Sequence, residues 1–195
     1  MGMTIHYHGR LDDPDRLDDA LAMIRAWCED YEWPCRWLDF ELKGPHITFE
    51  DGEEHIVELD TRWRGWTIQP HPKCESLLLA FDDDARLMMC FDAADGERMV
   101  MYSLFVKTQF APPLTHIEIC ELLHRLQDEF ARQGLVVNDE GGYFETGDEK
   151  RLLELRETIE QAMDVLEDAL DSGQDWWVDA SDVPPDPGDL DSRRN

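Results

Sequence analysis

The sequence predicts an α+β fold built on an antiparallel or mixed sheet of about seven strands. Two helices are predicted to pack on one face of this sheet, and a long C-terminal helix follows. The prediction depends on several short extended segments, turn residues between them, and two proline-initiated segments with helical apolar periodicity. With 195 residues, of which 42% are hydrophobic, the chain is long enough to bury one substantial core.

The first strand is predicted at residues 4–11, and the first helix follows it directly. Asp12-Asp13-Pro14 is typical of a helix start, because proline is tolerated in the first turn. Apolar residues then recur at steps of three and four, which gives the helix one buried stripe. They are Leu17, Leu21, Ile24, Trp27 and Tyr31, and Trp33-Pro34 ends the helix.

The middle of the chain has the pattern of successive antiparallel strands. The extended segments are CRWLDFEL, HITFE, EHIVELDTRW, GWTIQP, SLLLAFD, ARLMMCFD and MVMYSLFVKTQF. The turn residues between them are Gly44-Pro45, Asp51-Gly52, Gly65, Pro70-His71-Pro72, Asp82-Asp83-Asp84 and Asp95-Gly96. Short strands separated by such turns favour antiparallel pairing of sequence neighbours.

The last third of the chain predicts two more helices and a tail. Pro112-Pro113 opens a helix that runs to about Gln133, and LVVND follows as a strand. Thr146 and Glu149 match a capping box at the start of the third helix. We expect one domain over residues 1–173 and an acidic, proline-rich tail over residues 174–195. Trp176 and Trp177 in this tail are predicted to dock on the domain or on a partner.

The charge of the chain limits its partners. It carries 45 acidic against 18 basic residues, a net charge of −27, so we expect no binding to nucleic acid or anionic membranes. No apolar run reaches the length of a membrane span, and the first residues lack a signal-peptide pattern, which predicts a cytoplasmic protein. The five cysteines lack C-x-x-C spacing, which favours free thiols.

A strand–proline–helix–strand pattern occurs twice and suggests a ligand patch. Ile5 aligns with Leu104 and Pro14 with Pro113, so the apolar residues of both strands are expected to face the helices. The opposite sheet face then carries the predicted patch, with Cys74 nearby. Together with Cys74, the patch residues are His6, His8, Ser103, Lys107 and Gln109. A solvated outer sheet face explains the same pattern, and the sequence leaves both interpretations open.

Two short segments suggest chemistry. His6 and His8 in TIHYHG share a strand face, as metal ligands do, but no third ligand lies near them in sequence. We therefore predict no bound metal or other cofactor. The H-x-H triplet resembles the metal-binding start of amidohydrolase barrels, but the chain is too short for that barrel. In HPKCE, Lys73 could activate Cys74, although a rigid turn with Cys74 tucked under the next strand is the preferred interpretation.

The segments IHYHG, HPKCESLLLAFD, FVKTQFAPP and DEGGYFETGDE together resemble uncharacterised bacterial proteins classified as domains of unknown function. The resemblance covers about residues 3–155 and implies no activity. The preferred hypothesis is a non-enzymatic binding module that meets a protein partner or a second copy at the open sheet face or the tail. The alternative is a small, metal-dependent enzyme. It would be centred on His6, His8 and the turn that contains His71, Cys74 and Glu75.

Overall fold

The computed structural model describes residues 3–50, 53–93 and 97–171, and the fold is α+β. The strands are β1 (Thr4–Gly9), β2 (Cys35–Glu50), β3 (Glu53–Ile68), β4 (Leu77–Phe81), β5 (Met89–Asp92), β6 (Arg98–Met101), β7 (Ser103–Lys107) and β8 (Leu135–Asp139). The helices are α1 (Leu17–Asp30), α2 (Pro113–Phe130), α3 (Tyr143–Thr146) and α4 (Glu149–Asp171). A short 3-10 helix, Pro14–Arg16, leads into α1.

Within the described ranges the strands form two sheets. The small sheet has the order β7-β1-β8, and the large sheet has the order β4-β3-β2-β6-β5. The prediction of a single sheet of about seven strands was wrong, because β1 pairs with β7 and β8 while β2 to β6 pair with one another. The segment between β4 and β5 makes isolated bridges. Leu87 bridges to Phe81 of β4, and Arg86 bridges to Arg10 beyond β1. These bridges link the two sheets, and they also bring the β4 and β5 ends of the large sheet together.

The large sheet is built on one long hairpin. β2 and β3 have 16 residues each and pair continuously from Cys35–Ile68 to Glu50–Glu53. The turns predicted at Gly44-Pro45 and Gly65 were therefore wrong, since both lie inside strands. A Cβ atom at Gly65 would lie 2.3 Å from the carbonyl oxygen of Leu79. The glycine is needed there because β4 approaches closely, not because the chain turns.

Apolar side chains form a main core and two smaller clusters. The main core draws on α1, α2 and both sheets, with Ile5, Ile24 and Leu123 fully buried. A second cluster lies on the inner face of the large sheet and contains Leu38, Leu42, Trp63, Ala80, Met88 and Val100. The hydroxyl of Tyr7 donates to the carbonyl of Leu78 at 2.9 Å, which fastens the small sheet to β4. The third cluster packs the start of α4 on the domain through Met3, Ile117, Leu152 and Ile159.

The first turn of α4 is capped by a residue other than the predicted one. The carboxylate of Asp148 accepts a hydrogen bond from the backbone N–H of Arg151 at 3.1 Å. The hydroxyl of Thr146 donates instead to the carbonyl of Gly142, so the capping box of Thr146 and Glu149 was wrong. The predicted and the observed cap work in the same way: a side-chain oxygen accepts a hydrogen bond from a backbone N–H of the first turn.

The chain divides into the compact unit Met1–Ile159 and a second unit, Glu160–Asn195. The sites discussed below lie in the first unit. The second unit includes the C-terminal part of α4, and the predicted docking residues Trp176 and Trp177 lie outside the described residues. No helix in the described part of the chain is both long and apolar enough to cross a membrane.

Candidate functional site

The outer face of the small sheet, here called the open face, carries four of the predicted patch residues. They are His6, His8, Ser103 and Lys107. Antiparallel pairing sets His6 opposite Phe105, whose ring centroid lies 6.1 Å from that of the imidazole. On the other side β8 adds Val136, which is exposed. The open face is therefore a mixed surface of imidazole, ammonium and apolar groups on a rigid three-stranded support.

The remaining two patch residues do not join that face. Gln109 lies in the turn after β7, which ends at Lys107. Cys74 is 7% exposed and belongs to the main core, where its thiol donates to the carbonyl of Lys107 at 3.4 Å. Burial, followed by the negative charge of Glu75, raises the pKa of the Cys74 thiol to about 12. The HPKCE turn thus holds a packed, protonated thiol and not an activated nucleophile.

A different set of side chains has the character of a metal site. His116, Cys120 and Asp139 place their ligand atoms within 4.8 Å of one another, and all three are buried. His116 and Cys120 lie one helical turn apart on α2, and Asp139 ends β8. Among the described residues, no such group of three includes His6 or His8. The nearest acidic partner of His6 is Glu140, at 3.6 Å.

The same three residues belong to a hydrogen-bond network. His116 Nδ1 pairs with the hydroxyl of Thr108 at 2.7 Å, and Nε2 pairs with Asp139 Oδ2 at 3.1 Å. The Asp139 carboxylate also accepts backbone N–H groups from Gly141 at 2.7 Å and Phe144 at 3.0 Å, and from Tyr143. The carboxylate therefore organises the loop between β8 and α3 and joins it to α2.

The charge states follow from these contacts. Burial acts to raise the pKa of Asp139, but the hydrogen bond and charge of His116 and the loop amides outweigh it, so the pKa lies below its ordinary value. Burial, together with the nearby carboxylate, raises the pKa of the Cys120 thiol. A metal ion would need that thiol deprotonated and would break the imidazole–carboxylate bond. The network satisfies its own donors and acceptors without an ion.

Thr108, His116 and Asp139 have the hydroxyl–imidazole–carboxylate connectivity of a nucleophilic triad. Their exposed fractions are 1%, 0% and 5%, so a substrate cannot reach the hydroxyl. We interpret the network as a structural lock between β7, α2 and β8. Sequence reasoning missed this lock; the available signal was His116 and Cys120 at four-residue spacing on a predicted helix.

An apolar surface crosses the outer face of the large sheet near the far end of the hairpin. Ile56 lies opposite Ile47, Ile47 opposite Met99, and Met99 opposite Phe91. Directly opposed residues share a sheet face, so these four side chains form one row across four strands. Ile56 is 72% exposed. Phe49, two residues from Ile47, extends the surface, and we call these five residues the distal row.

Two glutamates flank the distal row on the same face. Glu54 lies opposite Phe49, and Glu58 lies opposite Pro45. Both glutamates are exposed, and neither forms a salt bridge within the described ranges. Four residues along a strand separate them, a distance of about 13 Å. Ile56, at one end of the distal row, therefore has an exposed glutamate on either side of it along β3.

These features define an acidic α+β domain with an exposed apolar strip and a closed polar network. No family model, curated protein or solved structure matches the chain. The resemblance to uncharacterised bacterial proteins stays a prediction. The function is accordingly argued from the geometry of the described residues.

Proposed function

We propose that the protein is a non-enzymatic interaction module that binds a basic protein partner through the distal row. The observation that carries this proposal is Ile56, 72% exposed at the end of an apolar row that spans four strands. Exposed apolar surfaces of this kind, bordered by polar residues, are typical of protein interaction sites. Complete burial of one isoleucine or phenylalanine side chain contributes about 1.5–3 kcal/mol.

The charges around the row favour a basic partner. Glu54 and Glu58 are exposed on either side of it, and the whole chain carries −27. A partner that presents apolar side chains between two lysine or arginine residues about 13 Å apart would match both features. A second copy of this chain would bring the same glutamates and the same net charge to the interface. Like-charge repulsion therefore disfavours a symmetric dimer at this surface at low ionic strength.

The alternative enzyme hypothesis has less support. It requires His6 and His8 to act with the His71–Glu75 turn, where Cys74 is packed in the core. The open face remains the alternative location for partner binding, because Phe105 and Val136 are exposed there beside Lys107.

Defined peptides test the proposal. One synthetic probe has a leucine–phenylalanine centre with lysines at both ends; the other has the same centre with glutamates at both ends. Binding is measured by fluorescence anisotropy on the full chain at low and high salt. The lysine probe is expected to bind more tightly, and its affinity is expected to fall as salt screens the glutamates.

Variants at the two surfaces locate the binding. Ile56→Asp is expected to weaken binding of the lysine probe at least tenfold, the equivalent of about 1.4 kcal/mol. Val136→Asp is the matched control, since Val136 is also an exposed β-branched residue on an outer sheet face. If Val136→Asp abolishes binding and Ile56→Asp does not, the open face is the site and the distal row is wrong. Equal binding of both probes would refute the requirement for a basic partner.

A further inference from the structure

Two cysteines lie together where α1 passes into β2. Cys28 is buried in the last turns of α1, Cys35 is half-buried at the start of β2, and both are free thiols. The chain folds back between them because Glu32 adopts a left-handed backbone conformation with φ of 54°. The backbone N–H of Trp33 then donates to the carbonyl of Cys28 at 2.8 Å. This turn places both cysteines at the wall of one surface cavity.

The surroundings distinguish the two thiols. Arg25 donates from Nη1 to the sulfur of Cys35 at 3.2 Å. Its Nε donates to Glu29 at 2.7 Å, which holds the guanidinium on the helix. Burial, followed by the neighbouring Cys35, raises the pKa of Cys28 to about 12, so Cys28 stays protonated and can donate its S–H. The Cys35 sulfur therefore accepts a hydrogen bond from a charged group, the Arg25 guanidinium, and lines the same cavity as Cys28.

Small reagents can reach this pair. Both cysteines, Arg25 and Trp33 line a surface cavity of about 310 Å³. The cavity has room for several water molecules and hence for hydrogen peroxide. The other cysteines lack this combination of a cavity, a guanidinium donor and a second thiol among the described contacts. Cys90, which is also half-buried, has its pKa raised by burial.

We propose that Cys28 and Cys35 are an oxidant-sensitive pair that peroxide converts to an intramolecular disulfide. The Cys35 thiolate attacks one peroxide oxygen; an S–O bond forms, the O–O bond breaks, and the departing hydroxide takes a proton to become water. The sulfur of Cys35 is then a sulfenic acid. The Cys28 sulfur attacks it, the S–S bond forms, and the S–O bond breaks. The leaving hydroxide takes the Cys28 proton as a second water, so two thiols and one peroxide give one disulfide and two waters.

The test uses the reduced full chain treated with substoichiometric hydrogen peroxide. Peptide mass mapping is expected to find one cross-linked peptide that joins Cys28 to Cys35, with the loss of two hydrogens. Cys28→Ser should leave Cys35 as a sulfenic acid that dimedone traps. Cys35→Ser should leave Cys28 unmodified. Cys90→Ser is the matched control and should form the Cys28–Cys35 bond at the wild-type rate.

Arg25 is a positioning residue in this proposal, and its role is tested separately. Arg25→Gln should slow formation of the disulfide about threefold to tenfold, a modest change because solvent screens an exposed guanidinium. Arg25→Lys should restore part of the rate, which a purely structural role of the arginine would not predict. The proposal is wrong if the cross-link joins other cysteines, if none forms while Cys90 oxidises, or if Cys28 reacts before Cys35.

Discussion

Removal of the Asp139 carboxylate is the most direct test of the buried lock. In the native protein this group accepts hydrogen bonds from the loop amides and from His116 Nε2. Asp139→Ala removes the acceptor and leaves the donors in place. The side chain is nearly inaccessible, so water can replace the lost acceptor only through local rearrangement.

The size of the effect follows from the buried donors. The bonds from Gly141 N, Phe144 N and His116 Nε2 are buried, and each unsatisfied donor costs about 1–3 kcal/mol. Partial rearrangement of the loop lowers the sum, so we expect a loss of about 3–5 kcal/mol. This loss is a large fraction of the free energy of unfolding of an ordinary domain, which is about 5–15 kcal/mol. Urea denaturation at neutral pH measures the loss.

The lock also predicts how stability depends on pH. The pKa of Asp139 is lower in the folded protein than in the unfolded chain, where an aspartate carboxyl has a pKa of about 4. The carboxylate therefore contributes its full stability above about pH 4, and this contribution is lost as pH falls through the lower, folded pKa. The acid loss of stability should be smaller in Asp139→Ala than in the native protein.

The control for this experiment is Asp128→Asn, which changes an exposed carboxylate on α2. It is expected to alter stability by less than about 0.5 kcal/mol. A loss below about 1 kcal/mol in Asp139→Ala would refute the lock, since it would mean that the donors find other partners. An unchanged acid profile in that variant would contradict the ionised state of the carboxylate.

Three further predictions concern other parts of the chain. Replacement of His6 and His8 together by Gln is expected to leave the melting temperature nearly unchanged with or without a chelator; a loss that zinc rescues only in the native protein would contradict this. The melting temperature should rise between about 0.1 M and molar NaCl, because ions screen the net charge of −27, and a flat or falling curve would count against self-repulsion. Gly65→Ala should cost about 2–4 kcal/mol in urea denaturation, because its Cβ would lie 2.3 Å from the Leu79 carbonyl oxygen; a neutral substitution would show that β4 moves away freely.

Local patterns predicted individual elements better than they predicted pairing. The strand LVVND corresponds to β8, and the proline-initiated segments correspond to α1 and α2. Gly65 was misread because a glycine required by a close strand contact has the same sequence signal as a turn glycine. The split into two sheets depends on the pairing of β1 with β7 and β8, which are distant in sequence, and such long-range pairing has no periodic signature.

The candidate sites show the same boundary between local and tertiary information. The shared face of His6 and His8 follows from the two-residue period of a strand, and their neighbour Phe105 follows from register. The partners of His116 could not be inferred, because Thr108 and Asp139 reach it only when β7 and β8 flank β1 beside α2. The distal row likewise forms only when four strands pair in one particular register. The sequence did not indicate the register of any of these strands.

The distal row crosses a part of the long hairpin where Ile47 and Ile56 do not belong to any buried apolar cluster of the described residues. At its root the long hairpin contributes Ile68 to the main core, and its middle contributes Leu42 and Trp63 to the second cluster. Neither cluster includes Ile47 or Ile56. The hairpin is about 50 Å long, so its far end extends well past the part that the main core holds. Apolar residues that the clusters do not use, with exposed glutamates beside Ile56, are the basis of the proposed recognition of a partner.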